Sequence, residues 1–263
     1  MTPTVVVTGA SSGIGACLAR AWGKRNARVV LCARDERALE RVAAEIVRAG
    51  GQAVCVPGDV TREDDRLRLM DRARSETGRI DVLVNNAGRG YYGGLVGVDV
   101  AELEALFALN VVAPLRLLQL ALDPLTRAGG TLVMVSSVAG VAALPRMGAY
   151  AASKFALEAI ATVLRAELVG TGVHVLVVRP GPVDTPFRSR SLCTDGSAGV
   201  RPRGVAVQTP DEVAEQTVRA VLSRQSVVET TPFVRAASLV ARVAPAMMGW
   251  IATAMVASNA GDK

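Results

Sequence analysis

Short apolar segments alternate with longer amphipathic segments along most of the 263-residue chain. The short segments are β-branched and continuously apolar, which is typical of strands buried on both faces of a parallel sheet. They predict strands at Thr4–Thr8, Arg28–Ala33, Ala53–Pro57, Val82–Asn85, Thr131–Ser136 and Val173–Val178. Apolar residues three and four apart predict helices at Ile14–Lys24, Glu36–Ala49, Arg62–Thr77, Ala101–Ala121 and Ala149–Val169. Because strand–helix–strand units are right-handed, this order predicts an α/β fold: one doubly wound parallel sheet with helices on both faces.

The alternation ends at Pro180. Residues Gly181–Thr209 are rich in Gly, Pro, Ser and Arg, and a long irregular segment of this kind is often a lid over a binding site. The alternative is a surface loop without a catalytic role. A helix at Pro210–Leu222 and a short strand at Ser226–Glu229 are predicted to complete the domain, which then covers residues 1–231 with the lid at about 181–209.

The remaining residues, 232–263, are predicted to form a helical extension. Within Pro232–Asn259, apolar side chains recur at alternating four- and three-residue steps, as in an amphipathic helix, and Val243–Ala260 carries no charge. Pro245 and Gly249 interrupt this uncharged stretch, which disfavours a membrane-spanning helix. We therefore expect the extension to pack against the domain or a partner subunit. Contact with a membrane surface is the second alternative and a membrane span is the third.

The composition excludes several classes of protein. Half of the residues are hydrophobic and 21% are charged, so the chain can bury a sizeable core and is not expected to be disordered. The net charge is +6, but the arginines are spread along the chain, so nucleic-acid binding is not expected. The residues before Arg20 include no Lys or Arg and no long apolar run, so no signal peptide is predicted and a cytoplasmic location is expected.

Histidine and cysteine are too few or too dispersed for several common chemistries. His174 is the one histidine, so mechanisms that need two histidines are excluded, zinc binding is disfavoured and no metal site is predicted. We expect His174 to be a core or edge residue without a catalytic role. The four cysteines, Cys17, Cys32, Cys55 and Cys193, form no CxxC pair, so a disulfide framework is not expected.

A glycine-rich turn, Thr8-Gly9-Ala10-Ser11-Ser12-Gly13-Ile14-Gly15, follows the first predicted strand. Glycines in such a turn let the backbone approach a diphosphate closely, and the helix that follows presents free N–H groups and the positive end of its dipole. The spacing is G-x-x-x-G-x-G rather than the more common G-x-G-x-x-G. The position directly after the first strand favours a dinucleotide site over a glycine turn without a ligand.

Further polar groups follow strands at the carboxyl edge of the predicted sheet, where open parallel sheets bind their ligands. Asn85-Asn86-Ala87-Gly88 closes the fourth strand, and Asp59 follows the third. Asp59 is either a residue of the ligand site or a helix N-cap or turn carboxylate. The carboxyl edge is therefore the predicted location of the functional site.

Tyr150 and Lys154 lie four residues apart on one predicted helix and therefore share a face. An ammonium group beside a phenol favours the phenolate and lowers the pKa of the phenol, which suits a tyrosine for proton transfer near neutral pH. Ser137 lies at the end of a predicted strand. It could hydrogen-bond the same substrate oxygen that exchanges a proton with Tyr150. Asn110 lies in an otherwise apolar helical run, where it is either a satisfied core amide or a member of a polar relay.

Together these motifs resemble those of the classical short-chain dehydrogenase/reductase (SDR) family, from Thr4 to about Leu222. The resemblance is carried by TGASSGIG at Thr8–Gly15, Asp59-Val60, NNAG at Asn85–Gly88, Asn110, Ser137, YAASK at Tyr150–Lys154 and PGPVDT at 180–185. These elements occur in the family's order and spacing, and jointly they are highly specific. The resemblance implies a single Rossmann-type fold and an oxidoreductase that interconverts a carbonyl and a secondary alcohol with a nicotinamide cofactor.

The resemblance also implies a role for each matching residue. Tyr150 would exchange the proton with the substrate, and Lys154 would lower the pKa of the tyrosine and hydrogen-bond the nicotinamide ribose. Ser137 would orient and polarise the carbonyl, and Asn110 would hold a water that links Lys154 to solvent. Val183 and Thr185 would hold the carboxamide group of the nicotinamide. The expected cofactor-binding residues are Gly9, Ser11, Ser12, Gly13, Ile14, Gly15, Arg34, Asp59, Val60, Asn86, Ala87, Gly88, Tyr150, Lys154, Pro180, Gly181, Val183 and Thr185.

The end of the second strand bears on the choice of cofactor, because this strand end reaches the adenine ribose in dinucleotide folds. By comparison with the family, the acid that selects NAD would fall at Ala33, which has no charge. Arg34 follows, and a guanidinium binds phosphate through two parallel hydrogen bonds. Asp35 is the competing candidate for the acid, but Asp is a favoured helix N-cap. We therefore expect NADP(H) in preference to NAD(H).

Two other functions are kept as alternatives. A reductase of 3-oxoacyl thioesters, on a carrier protein or CoA, would carry basic residues near the entrance of its active site to bind an acidic partner. The predicted lid contains Arg188, Arg190, Arg201 and Arg203. A cofactor-binding regulator without activity would lack the tyrosine, lysine or serine of the motif, and all three are present. The motifs specify neither the substrate nor the direction of the reaction.

The expected partners are a small-molecule carbonyl or alcohol substrate and further copies of the chain. A homo-oligomer, dimer or tetramer, is expected from the resemblance and from the apolar second faces of the helices Ala101–Ala121 and Ala149–Val169. Small side chains on the second helix would let two backbones approach closely: Ala149, Ala151, Ala152, Ala156, Ala159 and Ala161.

Overall fold

The computed structural model describes residues 2–143, 145–194, 206–244 and 246–247. Seven parallel strands form the main sheet in the order β3-β2-β1-β4-β6-β7-β9. They are β1 (Thr4–Thr8), β2 (Arg28–Ala33), β3 (Gln52–Pro57), β4 (Val82–Asn85), β6 (Thr131–Val135), β7 (His174–Arg179) and β9 (Val227–Glu229). The strand order reverses between β1 and β4, so the predicted doubly wound, Rossmann-type sheet is confirmed.

Eight helices connect or follow the strands within the described residues. They are α1 (Gly13–Gly23), α2 (Glu36–Arg48), α3 (Glu63–Thr77), α4 (Val100–Phe107), α5 (Ala113–Ala128), α6 (Gly148–Glu167), α7 (Pro210–Leu222) and α8 (Pro232–Val243). The boundaries of α1, α2, α3, α6 and α7 lie within two residues of those predicted.

The core explains why the strands are apolar at every position. Val5 and Val7 of β1 belong to a cluster with side chains of α1, α2 and α7, whereas Val6, between them, belongs to a second cluster with side chains of α3, α5 and α6. Successive residues of a strand point to opposite faces, so a sheet covered on both faces needs apolar side chains at odd and even positions alike.

The predicted helix Ala101–Ala121 differs from the observed one. Val100–Ala128 is helical throughout, but a π-helical turn at Ala108–Val112 separates α4 from α5. The helix continues to Ala128, and Gly129 ends it with a φ of 57°. By length and composition Val100–Ala128 could span a membrane, and it is the one such helix among the described residues. Core helices of globular proteins meet the same criterion, and Leu106, Leu117 and Leu125 of this helix are buried.

The described part of the segment after β7 contains a strand that the sequence did not predict. Tyr91–Tyr92 (β5), which follows β4, pairs in parallel with Leu192–Cys193 (β8). Pro186–Thr194, here called the strap, is thereby attached to the carboxyl edge of the main sheet. Arg201 and Arg203, part of the basic set predicted in the lid, lie outside the described residues.

α8 ends within the predicted helix Pro232–Asn259, and most of the remainder of that prediction lies outside the described residues. Thr231 caps α8 by accepting a hydrogen bond from the Val234 N–H at 3.2 Å, and the helix ends at Val243. The residue before a proline is sterically disfavoured in the helical region, and Ala244 precedes Pro245. Val234 and Ser238 are buried, whereas Phe233, Leu239 and Val243 are exposed. Residues 245 and 248–263 lie outside the described part of the chain.

The six alanines of α6 that were predicted to let two subunit backbones approach closely do not all face outwards. Ala149, Ala151 and Ala161 are buried in the core of their own chain, because they lie on the face of α6 that packs on the sheet and on α4. The exposed residues of α6 instead include Ala152, Phe155, Ala159 and Val163. The predicted use of all six alanines in a subunit interface was therefore wrong.

Candidate active site

The glycine-rich turn joins β1 to α1 in a conformation that requires glycine at two positions. Gly9 and Gly13 have φ values of 65° and 54°, in the left-handed region. A Cβ at Gly13 would lie 3.0 Å from the Thr185 methyl, and a Cβ at Gly15 would overlap the Gly9 carbonyl oxygen. Ser12 begins α1 without a side-chain hydrogen bond to the helix, and the first turn of α1 has no acidic residue. The turn therefore fits a diphosphate, which needs a close approach of the backbone.

The end of β4 holds this turn in place. The Thr8 hydroxyl accepts hydrogen bonds from the N–H groups of Asn86 and Ala87, both at 3.1 Å, and donates to the Val84 carbonyl. The Asn86 amide nitrogen donates to the carbonyl oxygens of Thr8 at 2.9 Å and Gly9 at 3.3 Å. Asn86 and Ala87 were predicted to bind the cofactor, and these contacts show that Asn86 also shapes the glycine-rich turn.

Polar side chains follow β2 and β3 where the adenosine half of a dinucleotide would lie. The Arg34 side chain is 82% exposed, and its Nη1 is 3.9 Å from Oδ2 of Asp59. Asp59 Oδ1 accepts hydrogen bonds from the N–H and the hydroxyl of Thr61, so the carboxylate also forms a turn. Asp35 accepts from the Ala38 N–H at 3.0 Å, and its predicted role as N-cap of α2 is confirmed.

Tyr150 and Ser137 meet at the carboxyl edge of the sheet. Ser137 follows β6 and caps a short 3₁₀ turn, Val138–Gly140, by accepting a hydrogen bond from the Ala139 N–H at 3.1 Å. Tyr150 lies in the first turn of α6 and is buried. Burial raises the pKa of Tyr150 well above its usual value, and a hydrogen bond with Ser137 opposes part of this increase.

Lys154 is buried one helical turn after Tyr150. Its Nζ donates a hydrogen bond to the Val135 carbonyl at 2.8 Å and lies 5.8 Å from the centroid of the Tyr150 ring. Burial lowers the pKa of Lys154 to about 8, although Glu158 opposes this shift. We expected Lys154 to lower the pKa of Tyr150. In this structure the pKa of Tyr150 is raised instead, because burial of the phenol dominates and Lys154 is directed to Val135.

Asn110 lies in the π-helical turn between α4 and α5. Its Oδ1 accepts from the Arg89 N–H at 3.0 Å, and its Nδ2 donates to the Arg89 carbonyl at 2.9 Å and to the Ser153 hydroxyl at 3.0 Å. Ser153 in turn donates to the Tyr150 carbonyl at 2.7 Å. Asn110 is thus both a satisfied core amide and a link between the NNAG segment and α6.

Ser153 and Phe187 were missed by the sequence analysis. Ser153 is a polar residue on the buried face of α6, one position before Lys154, and this position could have indicated its role. The Phe187 ring packs against the Tyr150 ring with a centroid distance of 5.8 Å. Tyr92 also raises the pKa of Tyr150, and the Arg188 guanidinium lies 5.1 Å from the Tyr92 centroid. Phe187 lies in the irregular strap, where no periodicity indicates a contact.

The remaining predicted residues lie around the same edge. The Pro180 carbonyl accepts from the Val138 N–H at 3.0 Å, which joins the end of β7 to the Ser137 turn. Val183 pairs with Gln208, and a Cβ at Gly88 would lie 3.1 Å from Asn110 Oδ1 and 3.7 Å from Lys154 Nζ. Ser11, Ile14 and Gly181 are half-buried, and Val60 is buried in the core.

His174 lies away from this cluster. It begins β7 at the opposite edge of the sheet, and its Nε2 is 2.8 Å from the Gln225 carbonyl oxygen. The four cysteines are free thiols, in agreement with the absence of a predicted disulfide framework. Cys32 meets the glycine-rich turn through its backbone, because its carbonyl accepts a hydrogen bond from the Ala10 N–H at 3.1 Å.

Known proteins resemble the chain over most of its length. A family model for short chain dehydrogenase matches residues 3–194. Ketoacyl reductase HetN of Nostoc sp. is 35% identical over 222 residues, which are 84% of this chain and 76% of that protein. A short-chain dehydrogenase from Sphingobium yanoikuyae in complex with NADPH is 32% identical, with a TM-score of 0.76, over 86% of this chain and 87% of that one. A short chain dehydrogenase/reductase from Burkholderia phymatum in complex with NAD is 25% identical, with a TM-score of 0.82, over 91% of this chain and 92% of that one.

Proposed function

The chain belongs to the short-chain dehydrogenase family, and on that basis we propose that it is an NADP(H)-dependent oxidoreductase that interconverts a carbonyl and a secondary alcohol. The observation that carries the proposal is the Ser137 hydroxyl beside the buried Tyr150 phenol, with Lys154 one helical turn away and 5.8 Å from the Tyr150 ring centroid. This pair lies at the edge of the sheet that also carries the glycine-rich turn. A nicotinamide, when bound, supplies or accepts the hydride, so the chain must supply orientation and a proton.

Tyr150 is proposed to act as the general acid that donates a proton to the oxygen of a carbonyl substrate. Its phenol is protonated at neutral pH, but burial raises its pKa and so makes it a weaker acid, which interactions that stabilise the phenolate would have to offset. Ser137 is adjacent and would hydrogen-bond the same oxygen. Proton donation leaves a phenolate in a buried site, and the Lys154 ammonium, which persists below about pH 8 and lies 5.8 Å from the Tyr150 ring centroid, would help to balance its charge. For alcohol oxidation the same groups act in reverse.

The cofactor preference rests on the end of β2. Ala33 has no charge to repel a 2′-phosphate, Asp35 caps α2, and the exposed Arg34 has only a 3.9 Å ion pair with Asp59. Arg34 can therefore turn towards a phosphate at little cost. The turn Gly9–Gly15 is proposed to hold the diphosphate, and Val183 and Thr185 the carboxamide. Asn110 is proposed to hold a water that links Lys154 to solvent.

A reductase of 3-oxoacyl thioesters is the second candidate. It is favoured by the similarity to a protein named as a ketoacyl reductase and by the basic residues Arg188 and Arg190 beside the site. Both candidates use the same proton donor, so only the substrate distinguishes them.

A screen of NADPH and NADH oxidation across ketones, aldehydes and 3-oxoacyl thioesters tests the proposal. We expect turnover of at least one carbonyl compound and faster turnover with NADPH. Activity on thioesters alone would favour the second candidate. Failure to bind either nicotinamide cofactor would contradict both candidates.

A further inference from the structure

The strap, Pro186–Thr194, contacts both the glycine-rich turn and Tyr150. It is folded on itself, because the Ser189 hydroxyl donates to the Pro186 carbonyl at 3.0 Å and the Ser191 hydroxyl donates to the Phe187 carbonyl at 2.8 Å. It is attached to β5 by hydrogen bonds from the Leu192 N–H to the Gly90 carbonyl and from the Thr194 N–H to the Tyr92 carbonyl, both at 3.1 Å.

At one end of this folded segment, Arg190 reaches the glycine-rich turn. Its Nη1 donates a hydrogen bond to the Ser12 hydroxyl at 2.9 Å, across 178 positions of sequence. No carboxylate within the described residues pairs with the Arg190 guanidinium. Ser12 is also the N-cap residue of α1, whose first turn has no acidic side chain. A guanidinium and the positive end of a helix dipole therefore point to the same small region, which is a favourable arrangement for an anion.

At the other end, Phe187 packs on the ring of Tyr150. Phe187, which contacts the proposed proton donor Tyr150, and Arg190, which contacts the glycine-rich turn, are thus only three positions apart in the chain. The hydrogen bonds within the strap, from Ser189 to Pro186 and from Ser191 to Phe187, link the segments that carry the two contacts.

We propose that Arg190 is a phosphate-binding residue of the cofactor site, and that its contact with the bound cofactor fixes the strap that packs Phe187 against Tyr150. This inference rests on the proposed nicotinamide-dependent function. The shared chemistry is a phosphate group, which a dinucleotide offers either as the diphosphate or as the 2′-phosphate. Binding of cofactor would then complete the wall of the substrate site before the substrate enters.

The first test is the affinity of Arg190→Gln for NADPH and NADH, measured by nicotinamide fluorescence and calorimetry. Loss of a charge-assisted hydrogen bond predicts a dissociation constant about tenfold higher or more. Weaker binding of both cofactors would identify the diphosphate as the ligand, and weaker binding of NADPH alone would identify the 2′-phosphate. Arg190→Lys should recover part of the affinity. The control is Arg127→Gln, which removes the same charge from the end of α5, where Arg127 pairs with Asp123.

Changes of less than twofold for both cofactors in Arg190→Gln would overturn the proposal. Wild-type protein that binds neither cofactor would overturn the proposed function, and this inference with it. If the wild type binds a nicotinamide cofactor and Arg190→Gln binds it equally well, this inference alone is overturned.

The second test follows the strap directly. Cleavage by trypsin after Arg188 is measured by mass spectrometry, with and without NADPH at a concentration that saturates each protein. Cofactor should slow this cleavage in the wild type and in Arg127→Gln, but much less in Arg190→Gln. Equal protection of all three proteins would show that the strap is not fixed through Arg190.

Discussion

Burial shifts the pKa values of the two side chains on α6 that the proposed reaction uses. It raises the pKa of Tyr150 and lowers the pKa of Lys154 to about 8, because both charged forms lose hydration inside the protein. Both values stay above 7, so at neutral pH the pair still consists of a neutral phenol and an ammonium group. This state is ready to donate a proton, as carbonyl reduction requires. The spacing of Tyr150 and Lys154 predicted that they share a face, but the hydrogen bond from Lys154 to Val135 depends on tertiary packing.

The cofactor preference can be tested at Arg34. We expect Arg34→Ala to weaken NADPH binding by about tenfold or more and to leave NADH binding almost unchanged, because a guanidinium bound to phosphate contributes a charge-assisted hydrogen bond. Ala33→Asp should also shift the preference from NADPH towards NADH, since a carboxylate repels a 2′-phosphate. Dissociation constants for both cofactors provide the measurement. Equal affinity of the unmodified protein for NADPH and NADH would show that the end of β2 does not select the cofactor.

At the scale of elements, the site is built where the ends of β1, β4, β6 and β7 meet. Hydrogen bonds from the backbone of Asn86 and Ala87 to Thr8 join the first two strand ends. The hydrogen bond from the Val138 N–H to the Pro180 carbonyl joins the other two. The strap then attaches to Gly90–Tyr92, directly after β4. Each functional side chain is thus fixed by an element that the sheet itself positions.

Gly90 and Gly94 form a matched pair that tests the attachment of the strap. A Cβ at Gly90 would overlap the Ser191 hydroxyl and lie 3.0 Å from Phe187 Cε1, whereas a Cβ at Gly94 would meet no atom within 4 Å. Overpacking typically costs about 1–3 kcal/mol. We expect Gly90→Ala to displace the strap and to accelerate its cleavage by trypsin after Arg188, with Gly94→Ala similar to the wild type. Indistinguishable cleavage of the two variants would contradict the described packing of the strap on Gly90.

The sequence predicted the regular elements better than the irregular ones, for physical reasons. The strands and most helices follow from local periodicity, which the sheet and its two helix layers reinforce. The π-helical turn at Asn110 depends on hydrogen bonds to Arg89, 21 residues away, and no local pattern encodes them. The pairing of Tyr91–Tyr92 with Leu192–Cys193 joins two-residue strands that are too short to show an alternation. The proposed catalytic residues could be selected from the sequence because their motifs are short and local.

At the scale of the whole molecule, the outer face of α6 remains largely apolar although this helix already packs on the sheet. Phe155 and Val163 of α6 are 41% and 53% exposed, and Val112, next to α5, is 56% exposed. Large apolar side chains exposed along one helix face are typical of a protein–protein contact. We therefore propose that α5 and α6 form the interface of a homo-oligomer, with Ala152 and Ala159 permitting a close approach.

Light scattering at micromolar protein concentration tests this interface. We expect a mass that is a multiple of 27.4 kDa for the wild type and a lower mass for the double variant Phe155→Glu/Val163→Glu, because buried unpaired carboxylates are costly. Val47→Glu is the matched control, since Val47 is 56% exposed on α2. A monomer mass for the wild type would refute the proposed oligomer. An unchanged mass for the double variant would place the interface elsewhere.

Replacement of Tyr150 by Phe tests the central claim most directly, because it removes the phenol oxygen and keeps the ring that packs against Phe187. Two quantities are measured on the same preparation: the kcat for the best carbonyl substrate and the dissociation constant of NADPH. If Tyr150 is the proton donor, kcat should fall by about 10²–10⁴-fold while the NADPH dissociation constant stays within about twofold of the wild-type value. A variant that binds NADPH normally and retains more than half of the wild-type kcat would contradict the assignment of Tyr150 as the general acid.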